Sequence, residues 1–484
     1  LSYQNVSPSE GDARMAFILG HELAHLAFDD FWHREFFCAL KDNQALKKTL
    51  QSYQERDGKA KEIAADDRGF IYAAMAGYAV EQLLQDDKDN FLLSWQQQLQ
   101  PQAGDNHPDA QLRLKTLRAR LEHLLEQVSF FNFGVRLSHF DRCHDGQYFL
   151  QAFSEVFPAP EVFNNLGYCY LQSAQKILAG FITATEHHYC LPLMLEVTTQ
   201  AQALSSLMPS TLRGLADAPL KAEAFLTQAQ QYLTTATQAN PEYVPAWVNL
   251  AVTQLYRQEI YAARQAIEKA YQLAPNQLDI QGLRAVIIYE EGRSLDTWPN
   301  AITLLKKLAR DPQTTPCILY NTATLMTQRD RSGAQQFWQQ LLKRRFDLPL
   351  TVQRRLCAHQ DCAEVTPQAT VKQWSLPLTP GTFLTPKPKI LQEWNTISFD
   401  FVKEVYGEIY QAPDDSLELL ALAGFAELIV LKKIPQDVTL TAYCQYPLRT
   451  TRVMNRVLKS CSHWAALIED ENIKEIWIVK DKNR

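Results

Sequence analysis

The chain has 484 residues, 46% of them apolar and 11% aromatic, which allows about three domains with sizeable cores and no long disordered tract. A formal charge of −6, with acids and bases interspersed, offers no basic field for nucleic acid or an anionic membrane surface. No stretch reaches the roughly eighteen uninterrupted apolar residues of a membrane span, and no basic run followed by an apolar core marks a signal peptide.

The first predicted element is a helix with Asp12 as its N-cap and an apolar stripe of Met15, Phe17, Ile18, Leu19, Leu23 and Leu26. It carries His21-Glu22-Leu23-Ala24-His25. Residues four apart share a helix face, so His21 and His25 can turn their imidazoles toward one ion. Glu22 lies about 100° round from His21, beside such an ion and able to take a proton from a water on it. A second predicted helix, from Lys61 to Ala74, places Glu62 and Asp66 on one face. A hydrolytic zinc site takes a third protein ligand, which Glu62 can supply, and keeps its fourth position open. Asp66 then suits an outer role, accepting the far N–H of a ligating imidazole and fixing its tautomer.

These residues resemble the active site of the CAAX prenyl endopeptidase and heat-shock peptidase (HtpX-like) family of gluzincins. The resemblance covers about residues 11–125, and His107-Pro108-Asp109-Ala110-Gln111-Leu112-Arg113 is similar to the family's later His-Pro…Arg element. It implies a helical metallopeptidase domain over 1–135 that binds one Zn²⁺ per chain through His21, His25 and Glu62, with Glu22 as general base. It further implies that His107 or Arg113 donates to the oxyanion. Peptidases of this kind usually carry a longer segment ahead of the first histidine, supplying a strand along the cleft.

The middle of the chain, 145–345, reads as an α-solenoid. Trp247, Leu250, Ala251, Ala263, Ile267, Ala270 and Pro275 follow the spacing of a tetratricopeptide repeat. Ala229, Leu233, Ala236 and Pro241 precede Ala263, Ile267, Ala270 and Pro275 by 34 residues each (263 − 229 = 34), and Ala301, Leu305, Leu308 and Pro312 form a looser copy. A further helix starts near Leu319-Tyr320-Asn321 and pairs with Ala334 to Leu342. Upstream, Tyr148 to Pro158 and Val162 to Tyr170 read as two helices of an earlier unit, and 176–220 as an insertion with longer helices. Such arrays bind peptides or partner helices on their concave face.

Prolines 349, 367, 377, 380, 386 and 388 then forbid a long helix. Beyond them Ile397 to Tyr406, Leu417 to Leu431, Val438 to Tyr446 and Glu475 to Val479 read as strands, and Thr451 to Ile468 as a helix. The segment 350–484 is therefore expected to be a small α+β module with a docking or stabilising role, Cys461 and His463 serving in packing. The nine cysteines are scattered and odd in number. Those at 357 and 362, which bracket His359, are read as ordinary thiols, with a disulfide or a metal clip as the alternative, and Glu186-His187-His188 with Cys190 as no ion site.

The sequence thus predicts a mainly α protein: a zinc metalloendopeptidase domain, tetratricopeptide-like repeats that recruit a protein or peptide substrate or a protein partner, and the α+β module. The rival expectation is a non-catalytic or chaperone-like binding protein with a structural or decayed zinc site. Resembling soluble peptidases with repeats belong to the bacterial envelope or periplasm, and unpaired thiols would equally suit a cytoplasmic setting.

Overall fold

A computed structural model describes residues 6–27, 61–84, 91–92, 94, 110–179, 188–197, 200–209, 220–292, 299–328, 330–348, 352–353, 356–357, 360–362, 371–403, 405–435, 438–445, 447–453, 456–469 and 472–480. These residues are mainly helical and end in an antiparallel sheet. They fall into two compact units, 1–130 and 131–484. No helix among them is long and apolar enough to cross a membrane.

The first unit holds helix α1 (Pro8–Ala27), helix α2 (61–75) and the opening part of α3 (Ala110–His139). The start of α1 differs from expectation. Ser7 Oγ accepts the N–H of Glu10 at 3.2 Å, so Ser7 caps the helix and Asp12 lies exposed within it. Its buried face also differs, running through Ala13, Phe17, Gly20, His21 and Ala24, while Leu19, Leu23 and Leu26 are 54%, 56% and 63% exposed. The reason is Gly20, which packs against Gly69 of α2: a Cβ on Gly69 would lie 2.6 Å from the backbone nitrogen of His21. Two glycines let the helix backbones touch, so the contact face follows the small residues rather than the leucines.

In the second unit, α4 (Cys143–Val156), α5 (Pro160–Ala179), α6 (Leu220–Ala239), α7 (Val244–Tyr256), α8 (Ile260–Leu273), α9 (Leu278–Gly292), α10 (Pro299–Ala309), α11 (Pro316–Thr327) and α12 (Arg331–Lys343) form an array. Each packs on the next. Ala229, Leu233, Ala236, Ala263, Ile267 and Ala270 are all buried, as the 34-residue recurrence requires. Gly167 on α5 makes room for Leu233, whose Cγ lies 2.5 Å from where a Cβ would be.

The segment predicted as an insertion of longer helices holds instead an antiparallel hairpin, β1 (His188–Val197) and β2 (Gln200–Pro209). Its Tyr-Cys-Leu-Pro-Leu-Met-Leu run is buried throughout β1, and a short apolar run buried on every side carries no periodicity that separates strand from helix. β1 lies along α5, α7, α9 and α11, the alternate helices of the array.

The C-terminal part is an eight-stranded antiparallel sheet in the order β3-β4-β5-β6-β10-β9-β8-β7. The strands are β3 (Asn395–Val402), β4 (Val405–Gln411), β5 (Leu417–Leu422), β6 (Phe425–Leu431), β7 (Arg449–Val453), β8 (Arg456–Ser460), β9 (Trp464–Glu469) and β10 (Asn472–Val479). The helix expected over Thr451 to Ile468 is therefore three strands, and no α-helix occurs among the described residues of 371–480. From 371 onward the described residues of the module build a sheet, and the α-helical residues described within 350–484 are 352–353 and 356–357. Trp464 to Leu467 is buried on both faces, which again erases alternation. Val438 to Tyr446, expected as a strand, makes a 3-10 turn at Leu440–Tyr443. Ala423 and Gly424 take φ of 48° and 81° and close the β5–β6 hairpin.

Arg136, near the end of α3, ties helix to sheet. Its guanidinium donates to Glu418 on β5 at 2.9 Å and to both oxygens of Glu475 on β10 at 3.0 and 2.9 Å; Arg136 and Glu418 are buried and Glu475 is half-buried. Burial opposes the charge on Arg136, but the two carboxylates hold its pKa above the usual value. Three disulfides, Cys190–Cys317, Cys357–Cys362 and Cys444–Cys461, correct the expectation of ordinary thiols; Cys143 and Cys169 are free and buried.

Candidate metal centre

His21 and His25 occupy successive turns of α1, and Glu62 and Asp66 successive turns of α2. The Gly20–Gly69 contact brings these turns together. His21 Nε2 lies 3.1 Å from His25 Nε2 and 3.4 Å from Glu62 Oε2, and His25 Nε2 lies 3.6 Å from Glu62 Oε1. Ligands about 2.0–2.1 Å from a tetrahedral zinc stand about 3.3 Å from one another, so the two imidazole nitrogens and the two oxygens of the Glu62 carboxylate lie near the spacing such an ion imposes. Among the described residues, this trio alone brings three such ligand atoms within 4.8 Å of one another.

The surroundings fit a cation. His21 is 1% exposed and His25 8%, while Glu62 is half-buried. His21 Nδ1–H donates to Asp66 Oδ1 at 3.0 Å, which leaves the Nε2 lone pair facing the other two ligand atoms. Glu62 Oε2 is buried and takes part in no hydrogen bond of good geometry, so it has an acceptor site to give. The facing His21 ring, working against burial, holds the Glu62 carboxyl below its usual range. For His21 burial disfavours the charged ring, yet Asp66 and Glu62 outweigh it and hold its pKa at about 9. Two carboxylates around two imidazoles thus attract one positive charge, a proton on Nε2 or a metal ion in its place.

Of the residues singled out from sequence, His21, His25, Glu62 and Asp66 converge. Glu22 is exposed on α1, next in the chain to His21. His107 lies outside the described residues; Arg113 lies in α3, its side chain outside what is described. Sequence reasoning missed three positioning residues. Gly20 and Gly69 set the approach of the two helices, and a lone glycine inside a helical pattern is the signal that could have flagged Gly69. Arg120 of α3 donates to Asp67 through Nε at 3.0 Å and through the terminal nitrogen at 2.6 Å, and to the Ile63 carbonyl at 3.2 Å. It clamps α2 between the turns that carry Glu62 and Asp66, and no sequence pattern marks it.

No family model matches this chain, and no curated protein matches it either.

Proposed function

We propose that the chain is a zinc-dependent metalloendopeptidase that hydrolyses peptide bonds of protein substrates. The observation that carries this reading is the convergence of His21, His25 and Glu62 at near-tetrahedral spacing, with Asp66 behind His21 and Glu22 exposed on the same helix. A bound zinc ion supplies Lewis-acid polarisation of the scissile carbonyl and a water acidified toward pKa ~7. His21, His25 and Glu62 hold the ion. Asp66 keeps His21 in the tautomer that offers Nε2. Glu22 takes the proton from the attacking water and returns it to the leaving amine nitrogen. The resemblance adds His107 or Arg113 as a donor to the tetrahedral oxyanion.

The helical array would recruit the protein substrate or a protein partner. Three disulfides support an oxidising compartment, of which the bacterial envelope is the one the resemblance suggests. Glu22→Gln tests the reading: the variant should bind zinc stoichiometrically and lose cleavage of unfolded casein. Equal cleavage by the variant would refute it, and no cleavage by the zinc-loaded parent would leave a binding protein with a structural metal.

A further inference from the structure

We propose that the groove lined by α5, α7, α9 and α11 is a binding site for extended polypeptide that reads the main chain, and that β1 is its tethered occupant. The contacts are of a particular kind. Asn165 accepts the N–H of Glu196 at 2.8 Å and donates to its carbonyl at 2.9 Å. Asn249 does the same to Met194, at 2.8 and 2.7 Å, and Asn321 to Cys190, at 2.7 and 2.8 Å. Asn164 adds a second donor to the Met194 carbonyl at 3.0 Å and accepts from Asn249 at 2.9 Å. All four asparagines are buried. A carboxamide carries one acceptor and two donors, so each acts as the peptide group of a neighbouring strand would.

The arrangement is periodic on both partners. Asn165, Asn249 and Asn321 are each the sixth residue of their helix, α5, α7 and α11. In an antiparallel sheet, alternate residues turn both polar groups to the same edge. Cys190, Met194 and Glu196 share that parity, while the opposite edge of β1 pairs with β2 from His188↔Pro209 to Val197↔Gln200. The asparagines therefore stand where a third strand would. One rung is different. The sixth residue of α9 is Leu283, and the strand residue in the same two-residue step is Pro192, which has no N–H to give. An apolar side chain serves the one position where the chain lacks a donor. A buried strand edge must have its N–H and C=O groups paired. Here side chains from three helices of the array pair both groups at alternate residues, with the gap at the proline, so the groove holds an extended chain by its backbone.

The occupant is tethered through Cys190 to Cys317 on α11. The ligand is thus an extended segment of about ten residues, apolar at most positions, with free peptide groups at the first, fifth and seventh of a seven-residue core and proline accepted at the third. This site is distinct from the metal centre, and its test does not depend on proteolysis.

In a Cys190→Ser/Met194→Pro variant, the resident strand loses both its tether and its Asn249 rung, and Cys317 is left as a thiol beside a groove that an added strand can take. A synthetic peptide of residues 188–197 is added with its cysteine activated as a thionitrobenzoate mixed disulfide. The Cys317 thiolate attacks the peptide sulfur, forming the new S–S bond and releasing thionitrobenzoate, and peptide mapping locates the adduct. The expected result is trapping at Cys317 at least tenfold faster than for the same peptide N-methylated at the Met194 position, and an equal slowing by Asn249→Leu in the protein. A rate indifferent to N-methylation, or no adduct at Cys317, overturns the proposal. Should the variant fold poorly, the chain with its Cys190–Cys317 disulfide intact gives the second reading through amide exchange. Asn249→Leu should speed exchange at Met194 at least tenfold over Leu193 and Leu195, and uniform change along the strand counts against the ladder.

Discussion

Gly69→Ala isolates what the helix contact does for the proposed metal centre. The added Cβ would sit 2.6 Å from His21 N, 3.0 Å from His21 Cα and 3.0 Å from Phe17 O. Ordinary contact begins near 3.5 Å, so α1 and α2 must separate by about 1 Å. All three clashes lie on α1, and two are with His21 itself. The same displacement would stretch the 3.0 Å bond from His21 to Asp66 beyond hydrogen-bond range and open the 3.4 Å gap to Glu62. Overpacking of this kind costs roughly 1–3 kcal/mol, but replacing a helical glycine by alanine returns up to about 1 kcal/mol of propensity. Thermal stability is therefore a blunt readout. Zinc affinity is the sharp one: loss of an outer partner to a ligating histidine typically costs about 10–100-fold, and Gly69→Ala should fall in or beyond that range. Competition with a chromophoric chelator at fixed pH measures it. A variant that is folded and binds zinc within twofold of the parent would refute the idea that the Gly20–Gly69 contact sets the ligand geometry.

Two further predictions concern the second unit. Burial raises the Glu196 carboxyl to about 8 from 4.5, the phenol of Tyr243 opposing at 2.6 Å and the charge of Glu161 adding to the rise. The folded state then holds a proton that the unfolded chain releases, so stability falls as pH climbs from 4.5 to 8, by up to about 1.4 kcal/mol per pH unit, and is level outside that window. Denaturant titrations across it should show this slope in the parent and lose it in Glu196→Gln; parallel curves would contradict the assignment. Arg136→Met leaves Glu475 without its cation and Glu418 with Lys432 alone at 2.9 Å, and should destabilise the unit by about 3 kcal/mol, measured by denaturant midpoint at neutral pH. A loss below 1 kcal/mol would mean the carboxylates find other partners.

Some of this molecule could be read before it was seen. His21, His25, Glu62 and Asp66 stood out because ligand chemistry imposes a spacing that survives translation into helix faces. The 34-residue recurrence picked out Ala229, Leu233, Ala236, Ala263, Ile267 and Ala270, which are all buried in the helical array. What failed did so for reasons of long-range structure. The tether from Cys190 to Cys317 closes over 127 residues, and no local pattern ties those two among nine cysteines. β1 and β9 are buried on both faces, so the alternation that betrays a strand was absent. Leu19, Leu23 and Leu26 looked like a core stripe, but the buried face of α1 was decided by Gly69 on another helix. Arg120 acts through a salt bridge to Asp67 that only the fold creates.

The missing rung at Leu283 has a consequence for sliding. Shift β1 two residues along the groove in either direction, and Pro192 comes opposite an asparagine while a residue with an N–H comes opposite Leu283. One carboxamide oxygen then faces no donor and one peptide N–H faces a leucine, two orphaned polar groups in a dry groove. Each costs on the order of 1–3 kcal/mol. A uniform ladder would let a chain creep along it in steps of two. A ladder with one gap has a single resting phase, and a single proline tells the strand where to stop.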